Sequence, residues 1–301
     1  MRHLLPITGP LDLELTFSCG QAFRWTREGD AWRGVVGRSE CRVSMAGGLL
    51  AVTTAGGDPQ PGELARYFRL EEDPAVHLEH AAELRAVPGL VSLLGLRLLR
   101  QDPWETLASF VCSAAANVKK ISTCVEGMAA AWGEPIEGSG RHGFPGPDRL
   151  ARVSEGALRR RGLGFRAPLL LGTARRVARG DWDWEQLRHA PIDEARSELT
   201  ALPGVGPKIA DCALLFGLDR LDTYPVDRWI RRATLELANR RSAKDEDLER
   251  WSRRFGPGRG YLQQLLFHLR RTGGPLPALK ALQPLPARAS GRARARRAGA
   301  A

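Results

Sequence analysis

Lysine is the residue this chain uses least for one so basic. Among 301 residues there are 45 Lys and Arg, yet only Lys119, Lys120, Lys208, Lys244 and Lys280 are lysine, leaving 45 − 5 = 40 arginines. Cysteine is also sparse. Cys19, Cys41, Cys112, Cys124 and Cys212 are odd in number and form no C-x-x-C pair, which argues against a disulfide framework and against a zinc or iron–sulfur site. We therefore expect no metal and no organic cofactor. Long apolar runs are missing too, and the opening "MRHLLPITGPLDLEL" is broken by prolines and acids before a signal-type apolar core develops. The expectation is a soluble monomer of a reducing cytoplasm, with no membrane partner.

Apolar content of 43% is enough to bury a core in a chain of this length, so a disordered protein is excluded. The formal charge of +11 points to an anionic partner, with nucleic acid first and an acidic membrane surface second. Its distribution is uneven. From residue 275 onward there are six basic residues and no acids, so the body carries +11 − 6 = +5. That last segment, 275–301, is dominated by Pro, Ala and Arg, cannot bury a core, and reads as a mobile tail. It is either a linker end or an arm that attracts DNA in a salt-dependent way.

The fold class expected is α+β, with an N-terminal antiparallel-sheet domain over 1–100 and a helical domain over 101–274. Residues 11–54 mix β-formers with glycine punctuation in short alternating runs. Helical spacing takes over from 61 to 100, and "DPWETLASFVCSAAANVKKISTCVEGMAAAWG" follows with Asp102 as cap and Pro103 at the first helical position. Further helices are expected near 155–160, 166–179, 193–201, 207–217, 227–238, 245–254 and 259–271.

One lysine sits in an unusual place. In "LPGVGPKIADC", residues 202–212, Gly204 and Gly206 supply the positive φ or close approach that a tight turn needs, and Pro207 suits the first position of the next helix. The result is a helix-hairpin-helix whose turn offers backbone N–H groups to a phosphate. Lys208 would lie in that first helical turn, where the helix dipole and partial burial disfavour a second positive charge and so favour a nucleophilic amine. Arginine cannot lose its proton for this purpose. On the local sequence alone, Lys208 is either that nucleophile or a phosphate-gripping residue. Nineteen residues on (227 − 208), "TYPVDRWIRRATLEL" places Asp227 as a helix N-cap that could also steady a developing sugar cation.

With these residues in hand, L-P-G-V-G-x-K-x-A-D-C followed by P-V-D resembles the helix-hairpin-helix, Gly-Pro-Asp-loop superfamily of DNA glycosylases. The segments "GQAFRW" and "RLLRQDPWE", with "YFRLEED", "GFP", "LRRRGLGFRA" and "YLQQLLFHLR", are similar to its 8-oxoguanine branch. That resemblance covers most of residues 11–271 and implies a sheet domain followed by a helical bundle, with damaged double-stranded DNA as partner. It implies a base excision repair enzyme with AP lyase activity, in which Lys208 attacks C1′ of a flipped nucleotide, expels 8-oxoguanine and nicks the strand by β-elimination, assisted by Asp227. By the same resemblance the base pocket would use the Gly20 carbonyl, Cys212 and Phe267 for the two ring faces, and Gln263 for the Watson–Crick edge. Taken singly, Phe267 and Cys212 are as readily core residues and Gln263 a surface one. Cys212 is 208 + 4, so it shares a helix face with Lys208.

Around the extruded base, the resemblance implies that Gly204, Gly206 and Asn117 contact DNA, that Arg166 and Lys120 read the orphaned cytosine, and that Phe165 is an aromatic wedge. Lysine at 120 gives up the planar, two-pronged geometry of arginine. The largest departure lies in "CSAAANVKK", where the family commonly has consecutive asparagines. Ala115 stands at the first of these and cannot hydrogen-bond cytosine, which puts opposite-base selectivity in question. Trp229 stands where eukaryotic members have a phosphate-contacting histidine; by its local pattern it reads as a buried helix anchor. Three rival readings remain: a glycosylase for a broader set of oxidised or ring-opened purines, a monofunctional alkylated-purine glycosylase on the same fold, and a non-catalytic helix-hairpin-helix DNA-binding module. Lys208 speaks against the second, and its pairing with Asp227 against the third.

Overall fold

A computed structural model describes residues 1–180 and 182–278. Five antiparallel strands run in the order β1-β5-β4-β3-β2: β1 (Arg2–Leu5), β2 (Thr26–Glu28), β3 (Ala31–Val36), β4 (Ser39–Ala46) and β5 (Leu49–Ala55). Alternation sets the buried face. Cys41 and Val43 of β4 and Leu50 and Val52 of β5 are fully enclosed, and Val43 pairs with Val52 across the ladder. Helices α1 (Leu13–Ser18) and α2 (Pro61–Tyr67) close this core through Phe17, Leu64 and Phe68, with Trp25 stacked on Phe17 at 4.2 Å. The rest is helical: α3 (Pro103–Val111), α4 (Val118–Trp132), α5 (Pro147–Ala151), α6 (Glu155–Arg160), α7 (Ala167–Val177), α8 (Trp184–His189), α9 (Ile192–Thr200), α10 (Pro207–Gly217), α11 (Arg228–Leu237), α12 (Asp245–Ser252) and α13 (Arg259–Arg271). The chain is thus α+β, a sheet unit followed by a helical one.

Several expectations need correction. Residues 13–18 form a helix within the stretch read as strands, because Asp12 caps it by accepting from Leu15 N at 2.9 Å. Strand β1 lies ahead of that stretch and exists only through its pairing with β5. Between 74 and 93 the helical spacing is real but its period is three: Leu78, Ala81, Leu84, Val87 and Leu90 are buried on one side of 3-10 turns spanning Pro74–Ala86 and beyond. The stretch from 102 to 133 is two helices, α3 and α4, separated by a loop at 112–117 in which Ala115 takes φ +51°. Asp102 does cap α3, accepting from Glu105 N at 2.7 Å. The short helices α5 and α8 give too little periodicity to be read in advance. Leu276, inside the expected tail, is buried on the helical core, while residues 279–301, where the remainder of that tail falls, lie outside the described residues.

Two buried side chains hold the segments of the first hundred residues together, and two arginines tie them to the helical unit through Asp219. Gln21 donates from Nε2 to the carbonyls of Thr16 (2.8 Å) and Arg97 (2.7 Å), and its Oε1 accepts from Leu99 N (2.9 Å). Arg97 is fully enclosed and donates to the carbonyls of Thr8, Pro10, Arg69 and Glu72. Arg100 donates to Asp219 (2.6 Å), which also pairs with Arg69. The arginines of "RLLRQDPWE" are therefore scaffold: they satisfy carbonyls that would otherwise be buried without donors. Cys19 and Phe23 pack into the helical core while Phe17, Ala22 and Trp25 pack into the sheet core, so the "CGQAF" segment is the seam.

Candidate active site

At that seam lies a cleft of about 1450 Å³, bordered by the 113–119 segment, the hairpin turn, the start of α11 and one face of α13. The hairpin is built locally. Leu202 and Val205 are buried and pin the turn, Val205 N donates to Leu202 O at 3.1 Å, and Thr173 Oγ1 donates to Pro203 O at 2.7 Å. Gly204 has φ +74°, and a β-carbon there would lie 2.7 Å from Leu169 Cβ, so no other residue fits. Gly206 is different: its φ is −88° and a β-carbon would meet open space. The expected positive φ belongs to Gly204 alone. Gly206 caps α10 without a side-chain acceptor, and the first turn it opens borders the cleft.

Lys208 is half-buried in the first turn of α10 and lines the cleft. Its Nζ donates to Ser113 Oγ at 3.3 Å and lies 4.9 Å from the Phe110 ring centroid. Ser113 in turn donates to Phe110 O at 2.6 Å, which leaves a hydroxyl lone pair toward the amine. Neither Ser113 nor Phe110 was singled out in the sequence. Nothing local marks them, since they reach Lys208 only because α3 packs on α10.

Asp227 caps α11, its Oδ1 accepting from Trp229 N at 2.9 Å and Ile230 N at 2.8 Å. Burial raises this carboxyl above its ordinary range, while those N–H groups and the positive charges of Lys208 and Arg228 pull the other way. Lys208 and Asp227 are thus brought to one wall. Cys212 follows one turn after Lys208 but is buried and does not border the cleft. Burial pushes its thiol up to about 12 against the opposing charge and hydrogen bond of Lys208, so it stays neutral near pH 7. Asp211, also unremarked in the sequence, borders the cleft; burial pushes it up to about 6 although Arg196 Nε donates to it at 2.8 Å.

Of the expected base-pocket residues, Gly20, Gln263 and Phe267 border the cleft and Cys212 lies buried against Lys208. Gly20 has φ +84°, and a β-carbon on it would lie 3.3 Å from Val118 and 3.9 Å from Phe267. Helix α13 fixes that segment: Gln264 Nε2 donates to Cys19 O at 3.0 Å and Arg271 Nη2 to Ser18 O at 2.6 Å. No donor among the described residues engages the Gly20 carbonyl. Gln263 donates to Pro225 O at 3.1 Å and keeps a buried Oε1 without a partner, an acceptor that a bound polar group would satisfy. Phe267 is half-buried at the same place.

Of the residues expected around the extruded base, Asn117 borders the cleft, whereas Lys120, Phe165 and Arg166 do not. Arg166 is buried and donates to the carbonyls of Ala114 (2.5 Å), Ala115 (3.0 Å) and Leu163 (3.3 Å), so it braces the 112–117 loop. Phe165 is 56% exposed and lies against the Arg166 guanidinium. Lys120 is exposed with its amine above Gly162, and Asn117 uses its side chain to cap α4 through Lys120 N at 2.9 Å. Trp229 is not the buried anchor its pattern gives: it is half-buried and borders the cleft. Among the described residues no cluster of His, Cys, Asp and Glu could hold a metal ion, and no helix is long and apolar enough to cross a membrane.

Comparison with known proteins now bears on this geometry. Residues 4–107 match the family model described as 8-oxoguanine DNA glycosylase, N-terminal domain. A protein of Methanothermobacter thermautotrophicus named "Probable N-glycosylase/DNA lyase" is 31% identical over 88% of this chain and 95% of its own length. The Arabidopsis thaliana "N-glycosylase/DNA lyase OGG1" is 33% identical over 85% of this chain and 76% of its own. The Clostridium acetobutylicum 8-oxoguanine glycosylase/lyase, solved with double-stranded DNA containing cytosine opposite 8-oxoguanine, superposes with a TM-score of 0.83 at 27% identity, covering 90% of this chain and 98% of that one. The hairpin lysine, the capping aspartate and these full-length likenesses agree: the chain belongs to the 8-oxoguanine DNA glycosylase branch of the helix-hairpin-helix, Gly-Pro-Asp superfamily.

Proposed function

We propose that this protein excises 8-oxoguanine from duplex DNA with Lys208 as the nucleophile and then nicks the strand through the resulting Schiff base. Family membership makes it a DNA repair glycosylase with AP lyase activity. The observation that carries the finer reading is the joint placement of Lys208 and Asp227 on two helix starts beside one cleft. The lesion base leaves the stack and enters the space between Gly20, Gln263 and Phe267, at an unstacking cost of a few kcal/mol. There the Gly20 carbonyl is free to accept the N7–H that guanine lacks, and Gln263 Oε1 is free to accept from the Watson–Crick edge. Cys212, buried against Lys208, is the candidate for the ring face opposite Phe267.

The chemistry follows from the two charged groups. The Lys208 nitrogen forms a bond to C1′ with its lone pair as the glycosidic bond breaks, and the proton it sheds on bonding is taken up by the leaving purine. The Asp227 carboxylate, fixed by two N–H donors, stabilises positive charge developing on the sugar. Loss of the O4′ bond gives the imine; removal of a C2′ proton then expels the 3′ phosphate, and hydrolysis returns the amine. Arg166 and Lys120 are the candidate readers of the orphaned cytosine, with Phe165 as the wedge. Arg166 must release the Ala114 and Ala115 carbonyls to do so, which couples cytosine reading to movement of the 112–117 loop. We take the enzyme to act as a monomer in the cytoplasm, with the sheet domain over 1–100 and the catalytic domain over 101–274.

Borohydride trapping on duplexes carrying 8-oxoguanine opposite each of the four bases, beside an alkylated-purine duplex, tests this. A covalent adduct on 8-oxoguanine, strongest opposite cytosine, is the expected result. Base release from the alkylated duplex, with no adduct on any oxidised purine, contradicts it. Adducts of equal strength opposite all four bases favour the broader oxidised-purine reading, for which Ala115 is the motive.

A further inference from the structure

Helix α11 carries three arginines, and they differ in what they do. Arg231 pairs with Asp245 at 2.6 Å and Arg232 with Glu236 at 3.1 Å. Arg228 is exposed, and among the described residues no hydrogen bond or ion pair engages its guanidinium. It lies instead over the indole of Trp229, 4.9 Å from the ring centroid. Both residues border the same cleft as Gly20, Gln263 and Phe267, Arg228 at an exposed position and Trp229 at a half-buried one. A half-exposed indole and an unpaired guanidinium, adjacent and in contact, are complementary to an aromatic ring joined to a phosphate. Each group alone has an ordinary explanation, since an arginine at a helix start is common on basic surfaces. Together they leave, at the cleft, a cation held by nothing but the indole beneath it.

We propose that Trp229 and Arg228 form a nucleotide subsite on the damaged strand beside the base pocket, Trp229 stacking on the base next to the lesion and Arg228 holding its phosphate. The subsite rests on the DNA glycosylase reading above. It supplies what the cleft otherwise lacks, a platform for a neighbour that loses a stacking partner when the lesion base is flipped. Stacking of this kind tolerates any base, so it adds affinity for distorted DNA without adding sequence preference.

Binding is measured on duplexes with an uncleavable tetrahydrofuran residue at the lesion position, either with both neighbours intact or with a second tetrahydrofuran replacing the 5′ or the 3′ neighbour. For the wild type, removing the base at one of the two neighbouring positions is expected to weaken binding about tenfold, the value of one stack. Trp229→Ala should weaken binding about tenfold on the intact duplex and be indifferent to that base's removal, while Trp229→Phe keeps most of the affinity and the dependence. Losses that multiply independently at both positions overturn the proposal, because Trp229 would then only shape the cleft. Arg228→Gln should lower the slope of log Kd against log salt by about one, and an unchanged slope overturns the phosphate contact. If the wild type does not prefer the tetrahydrofuran duplex over undamaged DNA, the glycosylase reading itself fails, a result distinct from independent losses in an otherwise selective enzyme.

Discussion

On one wall of the cleft, Lys208 and Asp227 sit on the first turns of α10 and α11, where caps and turns are specified by residues next to them. On the other, the 112–117 loop keeps its shape through Arg166, which is 52 and 51 residues away from the two alanines whose carbonyls it holds. The caps and turns of the first wall are encoded mainly by neighbouring residues. The second depends on one tertiary contact and must partly break it in order to work. Chemistry and selectivity are therefore separable, and substitutions can be chosen to push on each alone.

The sharpest test of the first wall is Lys208→Gln, which should abolish strand nicking and borohydride trapping, a loss of at least about a thousandfold, while lesion DNA still binds. A gel-shift and trapping assay on one preparation reads both. Next in size is Asp227→Asn, expected to slow single-turnover excision by about 10²- to 10⁴-fold. Asparagine caps a helix as well as aspartate does, so the fold should survive. The sign of its pH effect is fixed by the raised folded-state pKa of Asp227: the protonated form favours folding, and that contribution fades as pH rises through the folded value. The melting temperature of Asp227→Asn relative to wild type should accordingly improve from pH 4 to pH 8, and thermal melts across that range check it.

Smaller effects are expected at the second wall. Arg166→Ala removes the donors to three carbonyls and should cost about 2–3 kcal/mol in denaturant unfolding, with trapping reduced but present. Undiminished stability would mean that the brace is incidental. The smallest change is Ala115→Asn. Ala115 occupies the left-handed region at φ +51°, where asparagine is tolerated better than alanine. We expect a gain of about 0.5 kcal/mol and a few-fold rise in the preference for cytosine opposite the lesion. Excision rates opposite the four bases decide the second point.

How much was legible in the sequence follows the same division. The hairpin and the Asp227 cap were readable because glycine, proline and capping residues act within one turn of where they stand. The helix–loop–helix at 102–133 was not, since "CSAAAN" has the composition of a helix and is bent by Arg166, which the periodicity of that segment cannot contain. The 3-10 character of 74–93 needed a distinction between periods of 3.0 and 3.6 over a few leucines. Within the site, Lys208, Asp227, Gly20, Gln263 and Phe267 all border one cleft. Phe110 and Ser113 were missed because an aromatic and a serine at a helix end are unremarkable until α10 is laid against them. Cys212 shares a face with Lys208 as its spacing gives, and its buried thiol lies against the lysine amine.

The central claim is that the covalent bond to DNA forms at Lys208. Trapping the wild type on 8-oxoguanine DNA with borohydride, digesting the adduct and sequencing the modified peptide by mass spectrometry tests it directly, since only five lysines and the N-terminal amine compete. The account predicts a nucleotide remnant on Lys208 alone. A remnant on Lys119, Lys120 or the N-terminus would place the nucleophile off the hairpin and reduce Lys208 to a phosphate-binding residue.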